Sequence, residues 1–285
     1  MTRPRTSPCV ASLLGLGLSL FWGCSKPAAS GGDERPQAPG SAAQTGEPAA
    51  AGGAGGAEAE AAPGDLTFGA LTVTPLRHAS TLLRHGGRTI YVDPWSKAAL
   101  DGLPKADIIL ITDVHGDHLD TAAIAALRQE STVLIGPQAV ADELAGEAVE
   151  VVKNGETRTI AGLEVEGIAM YNLTRGPEEG KLFHDKGRGN GYVLRFDDLR
   201  VYFSGDTECT EEMRALPKID VAFLCMNLPY TMPPSEAIDC ARAFQPKVLI
   251  PYHYRGSDVQ EVVRAFADDP AIEVRTAEWY PGGEG

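Results

Sequence analysis

The chain has 285 residues, 43% hydrophobic and 22% charged, a balance typical of a soluble globular protein. Its formal net charge of −14 at pH 7 argues against nucleic acid as a partner, because binding to phosphates requires a basic surface.

The first 24 residues have the layout of an export signal. Arg3 and Arg5 precede an apolar run over residues 10–22, which is too short for a comfortable transmembrane span. Gly23-Cys24 at its end resembles a bacterial lipobox, in which the cysteine is lipidated and becomes the mature N-terminus. We therefore predict a lipoprotein signal peptide over residues 1–24, with an ordinary cleaved signal as the alternative. The resemblance implies an exported bacterial lipoprotein, anchored in a membrane and facing the periplasm or the cell surface.

Residues 25–64 have a different composition from the rest of the chain. They contain 13 Ala, 9 Gly and 5 Pro but no Val, Ile, Leu or aromatic residue, so they cannot bury enough apolar surface to offset the entropy of ordering. We interpret them as a disordered tether. Residues 65–285 suffice for one large α/β domain with its own core. Of Cys209, Cys225 and Cys240, an odd number, at least one is expected to be a buried free thiol.

The domain alternates between β-rich and mixed stretches. Short strands are predicted at residues 66–68, 71–75, 81–84 and 89–92, and a continuous apolar run at 106–112 is typical of a strand buried on both faces. Helices are predicted at 119–129, 139–144, 208–215, 234–244 and 257–267. The remaining strands fall at 133–135, 149–152, 158–160, 163–168, 191–196, 199–204, 219–225, 247–250 and 272–275. Two β-rich halves with helices outside predict an αββα four-layer sandwich rather than a doubly wound parallel sheet.

The strongest chemical signal follows the buried run. Asp113, His115, Asp117 and His118 place four possible metal ligands within six residues, in a loop of the kind on which α/β proteins build their sites. Imidazole and carboxylate in a tight cluster suit zinc, iron or manganese. Solvated turn residues are the alternative, which two His and two Asp in six positions disfavour.

This cluster carries a family resemblance. Residues 112–118 resemble the Thr-His-x-His-x-Asp-His signature of the metallo-β-lactamase superfamily, except that Asp113 stands where the family usually has its first His. Residues 78–83 and 90–95 resemble the opening of the subgroup that includes ascorbate-lactonate lactonases. Residues 201–207 are similar to the family's strand and Gly-Asp-Thr element, and residues 250–253 to its late strand ending in a ligand His. The resemblance covers most of residues 70–255 and implies the four-layer fold of a metal-dependent hydrolase.

The resemblance also implies a ligand set. The family pattern needs one more His between the cluster and Asp206, and we assign that role to His184, with a site lacking this ligand as the alternative. Asn172 occupies a place where some relatives carry the ligand His. The implied site holds two divalent metal ions, with these ligands: Asp113, His115 and His184 for the first, Asp117, His118 and His253 for the second, and Asp206 as a bridge. Asp117 is also assigned a part in catalysis.

Such a site implies hydrolysis. Two cations a few ångströms apart lower the pKa of a bridging water, giving a hydroxide that attacks an ester, lactone or phosphodiester bond of the expected small-molecule substrate. Zinc is the expected metal, and the anionic Asp113 would favour harder ions such as manganese or iron. The alternative is a non-catalytic metal-binding or interaction protein on a degenerate hydrolase scaffold. In that case Asp113 would mark the start of the loss of the catalytic site.

Five further residues are interpreted near this site. Asp93 is expected to support the metal loop through hydrogen bonds. His78 is either a second contact around the site or a structural histidine. Lys186, Arg188 and Asn190 are interpreted as a solvated loop, with contact to an anionic substrate as the alternative.

Overall fold

A computed structural model describes residue 62 and residues 64–283. The predicted signal peptide, the lipidation site Cys24 and all of the predicted tether except Ala62 and Gly64 lie outside these residues. They therefore stay predictions. Within the described part of the chain, none of the helices has the length and apolarity needed to cross a membrane.

Two seven-stranded sheets form the centre of the structure, as the β-rich halves predict. The first sheet follows chain order, and its last four strands run parallel. Its strands are β1 Leu66–Phe68, β2 Leu71–Arg77, β3 Ser80–His85, β4 Arg88–Val92, β5 Ile108–Leu110, β6 Val133–Gly136 and β7 Val149–Val151.

The second sheet also follows chain order, and its strands from β11 to β14 are parallel. Its strands are β8 Thr157–Ile160, β9 Leu163–Met170, β10 Gly189–Phe196, β11 Leu199–Phe203, β12 Val221–Cys225, β13 Val248–Tyr252 and β14 Glu273–Val274. Strands β12 and β13 are buried along their whole length, which explains their uninterrupted apolar sequence.

Helices cover the outer faces of both sheets and complete the four layers. In β5, Ile108 and Leu110 pack into the core shared by both sheets, whereas Ile109 packs with helix residues on the opposite face. That alternation is what a strand buried on both faces requires. The helices are α1 Thr121–Leu127, α2 Gln138–Glu143, α3 Glu211–Arg214, α4 Pro234–Phe244 and α5 Val259–Ala265.

The three cysteines of the domain differ in state. Cys209 and Cys240 form a disulfide that ties the segment before α3 to α4. Cys225 is a buried free thiol, which confirms the expectation for at least one of the three. Burial raises the pKa of the Cys225 thiol to about 12.

Candidate metal centre

The site lies where several strands end at one edge of the sandwich. Asp93 follows β4, and the cluster from Asp113 to His118 begins three residues after β5. In the second sheet, Asp206 follows β11 and His253 directly follows β13. Because the carboxyl ends of parallel strands meet at one edge, residues far apart in sequence converge there.

The first group consists of Asp113, His115 and His184, whose ligand atoms all lie within 4.8 Å of one another. Asp113 Oδ2 is 2.8 Å from His115 Nδ1 and 3.8 Å from His184 Nε2. Asp113 and His184 are buried, whereas His115 is exposed. This is the set predicted for the first metal.

The second group consists of His118, Asp206 and His253, also within 4.8 Å of one another. Asp206 Oδ2 is 3.4 Å from His118 Nε2 and 3.4 Å from His184 Nε2, so one carboxylate oxygen lies between the two groups. That position fits the predicted bridge. Asp117 Oδ2 is close by, 3.9 Å from His118 Nε2 and 3.6 Å from His253 Nε2.

His118 is oriented by Asp93. The Asp93 carboxylate accepts hydrogen bonds from the Thr112 backbone N–H at 2.8 Å and the Thr112 hydroxyl at 2.6 Å, and it lies 2.8 Å from His118 Nδ1. With Nδ1–H donated to the carboxylate, Nε2 faces Asp206 and is the nitrogen that would bind a metal ion once its proton is lost. The expectation that Asp93 supports the metal loop is confirmed.

His184 is oriented in the same way by Asn172. The Asn172 side-chain oxygen lies 2.7 Å from His184 Nδ1 and accepts the His184 backbone N–H at 2.8 Å. The Asn172 amide in turn donates to Glu208 Oε1 at 3.1 Å. Asn172 therefore supports the predicted ligand rather than replacing it. The buried Glu208 was not identified from the sequence, because nothing in its local pattern distinguishes it from a surface carboxylate.

His78 belongs to the site. Its Nε2 is 3.1 Å from Asp117 Oδ2 and 2.7 Å from His253 Nε2, and its Nδ1 is 2.8 Å from the Tyr280 hydroxyl. His78, Asp117 and His253 form a third group with metal-ligand spacing. Of the two interpretations of His78, contact with the site is the one that the structure supports. Burial and the neighbouring His253 lower the pKa of His78 to about 4, so it is neutral at neutral pH.

The charges of the site stabilise one another. Burial raises the pKa of Asp206, but the surrounding histidines His253 and His118 outweigh it and hold that pKa well below its usual range. For His118 burial acts in the opposite direction, and the carboxylates of Asp206 and Asp93 raise its pKa well above the ordinary value. Carboxylates that stay ionised when buried are suited to hold a cation.

Unpartnered atoms test whether these residues fit a metal. Within residues 64–283, the buried atoms His118 Nε2 and His184 Nε2 lack a hydrogen-bond partner. Asp206 Oδ1 and His253 Nδ1 make no hydrogen bond of regular geometry, but they face each other at 2.6 Å as an ion pair. Leaving buried polar atoms unpaired is costly, and all four atoms are metal-ligand types that converge on the same space. The residues fit divalent metal ions. Binding itself stays a prediction.

The backbone at the site is conformationally unusual. His78, Asp93 and His253 have φ values of 59°, 46° and 46°, in a left-handed region that side chains seldom adopt. Such strain persists where surrounding structure enforces it, and it commonly marks functional sites. Gly205, next to Asp206, also has a positive φ of 61°, and a Cβ there would lie 2.4 Å from Met170 Sδ.

The interpretation of the segment after His184 as a solvated loop is wrong for two of its three residues. Arg188 forms two hydrogen bonds with the buried Asp113, and Asn190 is itself buried and donates to the Val152 carbonyl. Only Lys186 is exposed, where it pairs with Glu212. Asn190 lies within β10, which begins at Gly189 and is buried over its first six residues.

Comparison with known proteins agrees with this geometry. Residues 72–253 match the model of the β-lactamase superfamily domain. A UPF0173 metal-dependent hydrolase of Methanopyrus kandleri is 31% identical over 199 residues, which cover 65% of this chain and 84% of that protein. A crystal structure of a candidate metal-dependent hydrolase from Parabacteroides distasonis is 44% identical, with a TM-score of 0.68 over 73% of this chain and 93% of that one. A metallo hydrolase of Ignicoccus hospitalis shares the fold at 22% identity, with a TM-score of 0.61 and coverage of 73% and 95%.

Proposed function

The chain belongs to the β-lactamase superfamily and is a metal-dependent hydrolase with the metallo-β-lactamase fold; from this premise we propose that it works with a pair of divalent metal ions. One observation carries the proposal. Asp206 Oδ2 is equally distant, at 3.4 Å, from one histidine of each ligand group. A carboxylate between two sets of nitrogen ligands is the arrangement that holds two cations close together.

The proposed reaction is hydrolysis of an ester, lactone or phosphodiester. Bound metal ions would supply Lewis acidity and lower the pKa of a water molecule, and zinc is the expected ion, with manganese or iron as alternatives. Asp93 and Asn172 keep the ligand nitrogens of His118 and His184 aimed inward. Asp117, whose side chain is 30% exposed, is the carboxylate placed to accept a proton at the open side of the site, and His78 fixes its orientation.

The rim of the site favours a substrate with an apolar part. Among residues 64–283, three large apolar side chains are exposed: Leu173 at 48%, and Leu228 and Tyr230 at 45% each. Leu173 follows Asn172, and the other two follow Asn227, whose amide lies 3.2 Å from His253 Nε2. Exposed apolar groups beside a polar site commonly contact ligand. We propose that the apolar part of the substrate packs on these two loops.

A substrate panel tests the function. Purified protein is freed of metal, reloaded with zinc or manganese, and assayed on lactones, carboxylic esters and phosphodiesters with apolar substituents. We expect metal-dependent turnover of at least one class, lost in Asp206→Asn. A fully loaded protein that hydrolyses none of the three classes would contradict the proposed reaction. The matched control is Asp197→Asn, an exposed carboxylate in the β10–β11 turn, which should keep full activity.

We also propose that the protein is exported and anchored to a membrane through lipid on Cys24. The disulfide between Cys209 and Cys240 supports export, since such bonds persist mainly in oxidising compartments. Mass spectrometry of the N-terminal peptide after expression in a bacterium should find an acylated Cys24, and Cys24→Ser should release the protein from the membrane fraction. An unmodified Cys24 on a membrane-bound wild-type chain would contradict the anchor.

A further inference from the structure

Asp113, the residue that departs from the family signature, is paired with an arginine. Its Oδ1 accepts a hydrogen bond from Arg188 Nε at 3.0 Å, and its Oδ2 accepts one from Arg188 Nη2 at 2.9 Å. Both carboxylate oxygens are thus engaged by one planar guanidinium. This two-point geometry is the strongest form of the arginine–carboxylate pair.

The same oxygen serves the arginine and the metal group. Asp113 Oδ2 accepts from Arg188 and also lies 2.8 Å from His115 Nδ1 and 3.8 Å from His184 Nε2. A metal ion in the first group would therefore share its carboxylate oxygen with a permanently charged guanidinium. Two cations on one oxygen repel each other, and the oxygen has less electron density to donate.

In the second group, no arginine or lysine in the described part of the chain pairs with a ligand carboxylate. Among the described residues, the ion-pair partners of Asp206 are the histidines His118, His184 and His253, and those of Asp117 are His78, His118 and His253. These are neutral ligands once a metal takes their protons. The two groups thus differ by one fixed positive charge next to a ligand oxygen, with Arg188 only 24% exposed and therefore weakly screened.

We propose that Arg188 makes the two metal positions unequal. The position of His118, Asp206 and His253 binds the first divalent ion tightly. The position of Asp113, His115 and His184 binds the second ion at least about tenfold more weakly. A tenfold difference in affinity is the effect of a charge interaction strong enough to shift a pKa by about one unit. The inference rests on the proposed two-metal function and deepens it. The second ion then fills only as metal concentration rises, so hydrolysis would be graded by metal supply.

Competition with the metal and orientation of Asp113 are two different roles for Arg188, and they predict opposite changes in metal affinity when Arg188 is replaced. If the guanidinium mainly orients Asp113 as a ligand, removing it would weaken the second metal step. If it competes with the metal, removing its charge would strengthen that step. The sign of the change in affinity therefore separates the two roles, and it needs no substrate.

Metal titration of the full chain tests the proposal. Metal-free wild type, Arg188→Gln and Arg188→Lys are titrated with Mn²⁺ and with Zn²⁺ in calorimetry, using a competing chelator for the tight step, and bound metal is counted by mass spectrometry. Wild type should show two steps separated by at least about tenfold. In Arg188→Gln the weak step should tighten about tenfold while the tight step stays in place, which also shows that the variant is folded. Arg188→Lys keeps the charge and should keep most of the separation.

The possible results distinguish the proposed role of Arg188 from the proposed two-metal function. Two equal steps in wild type, or a weaker second step in Arg188→Gln, would overturn the role of Arg188 and leave the two-metal function standing. Absence of any stoichiometric metal binding would overturn the proposed function as well. Asp113→Asn assigns the steps, because it should remove the weak step alone; loss of the tight step instead would overturn the inference.

Discussion

The substitution Asp93→Asn changes one atom of the carboxylate that orients His118. The variant keeps the oxygen that accepts the Thr112 backbone N–H, but an NH₂ group then faces His118 Nδ1. His118 can no longer donate there, so its proton moves to Nε2, the nitrogen that faces Asp206. Asn tolerates the left-handed backbone of this position, where φ is 46°, so little extra strain is introduced.

The substitution removes the acceptor for the His118 Nδ1–H, and the Thr112 hydroxyl, which donates to the same oxygen at 2.6 Å, must turn to accept from the new amide. The magnitude is worked from the bond to His118. A hydrogen bond to a charged group contributes about 1.5–3 kcal/mol. That range corresponds to roughly a 10- to 100-fold loss of metal affinity, the usual effect of removing a partner that orients a metal-binding histidine. We expect the loss in the tight step, to which His118 belongs.

The assay is chelator competition with metal-free protein, alongside a thermal scan that verifies folding. Asp197→Asn is the matched control, since Asp197 also has a positive φ, 53°, but its side chain is 79% exposed and lies 3.0 Å from His85 Nε2, away from the site. Its metal affinity should not change. If Asp93→Asn bound metal as tightly as wild type, the orientation of His118 by Asp93 would not matter to the site.

Three further results are expected. Chelation should lower the melting temperature, because a metal present at a hundred times its Kd stabilises the folded state by about 2.7 kcal/mol; an unchanged melting temperature would mean that no ion was bound. Tyr280→Phe should destabilise the fold by about 1–3 kcal/mol in denaturant titration, since it leaves the buried His78 Nδ1 and the Arg255 N–H without that hydroxyl. Wild-type stability would show that water replaces it. Peptide mapping should find Cys225 unalkylated in the native state and alkylated after unfolding, because its pKa of about 12 leaves little thiolate. Native alkylation would contradict its burial.

The layered fold could be predicted from local patterns. Unbroken apolar runs indicate strands that are buried on both faces, and the amphipathic segments between them indicate helices that are buried on one face. The predicted helix at residues 234–244 matches α4. Element ends were less accurate. The predicted helix at 208–215 is confined to Glu211–Arg214, because Thr210 caps it by accepting the Met213 N–H.

The site could be predicted only in part. A short motif reveals ligands that are close in sequence, and the family resemblance supplied His184, Asp206 and His253. The pairing of Asp113 with Arg188 joins residues 75 positions apart, and that of His78 with Tyr280 joins residues 202 apart. Neither pair has a local pattern, since only the packing of the two sheets brings the partners together.

The most direct test of the central claim is anomalous diffraction from crystals of the full chain grown with a divalent metal, recorded at the absorption edge of that metal. Two peaks should flank the Asp206 carboxylate. One should be strong, near His118 and His253, and one weaker, near His115 and His184. No peak at this edge of the sandwich, or metal bound only elsewhere on the molecule, would contradict the assignment of these residues to a two-metal centre.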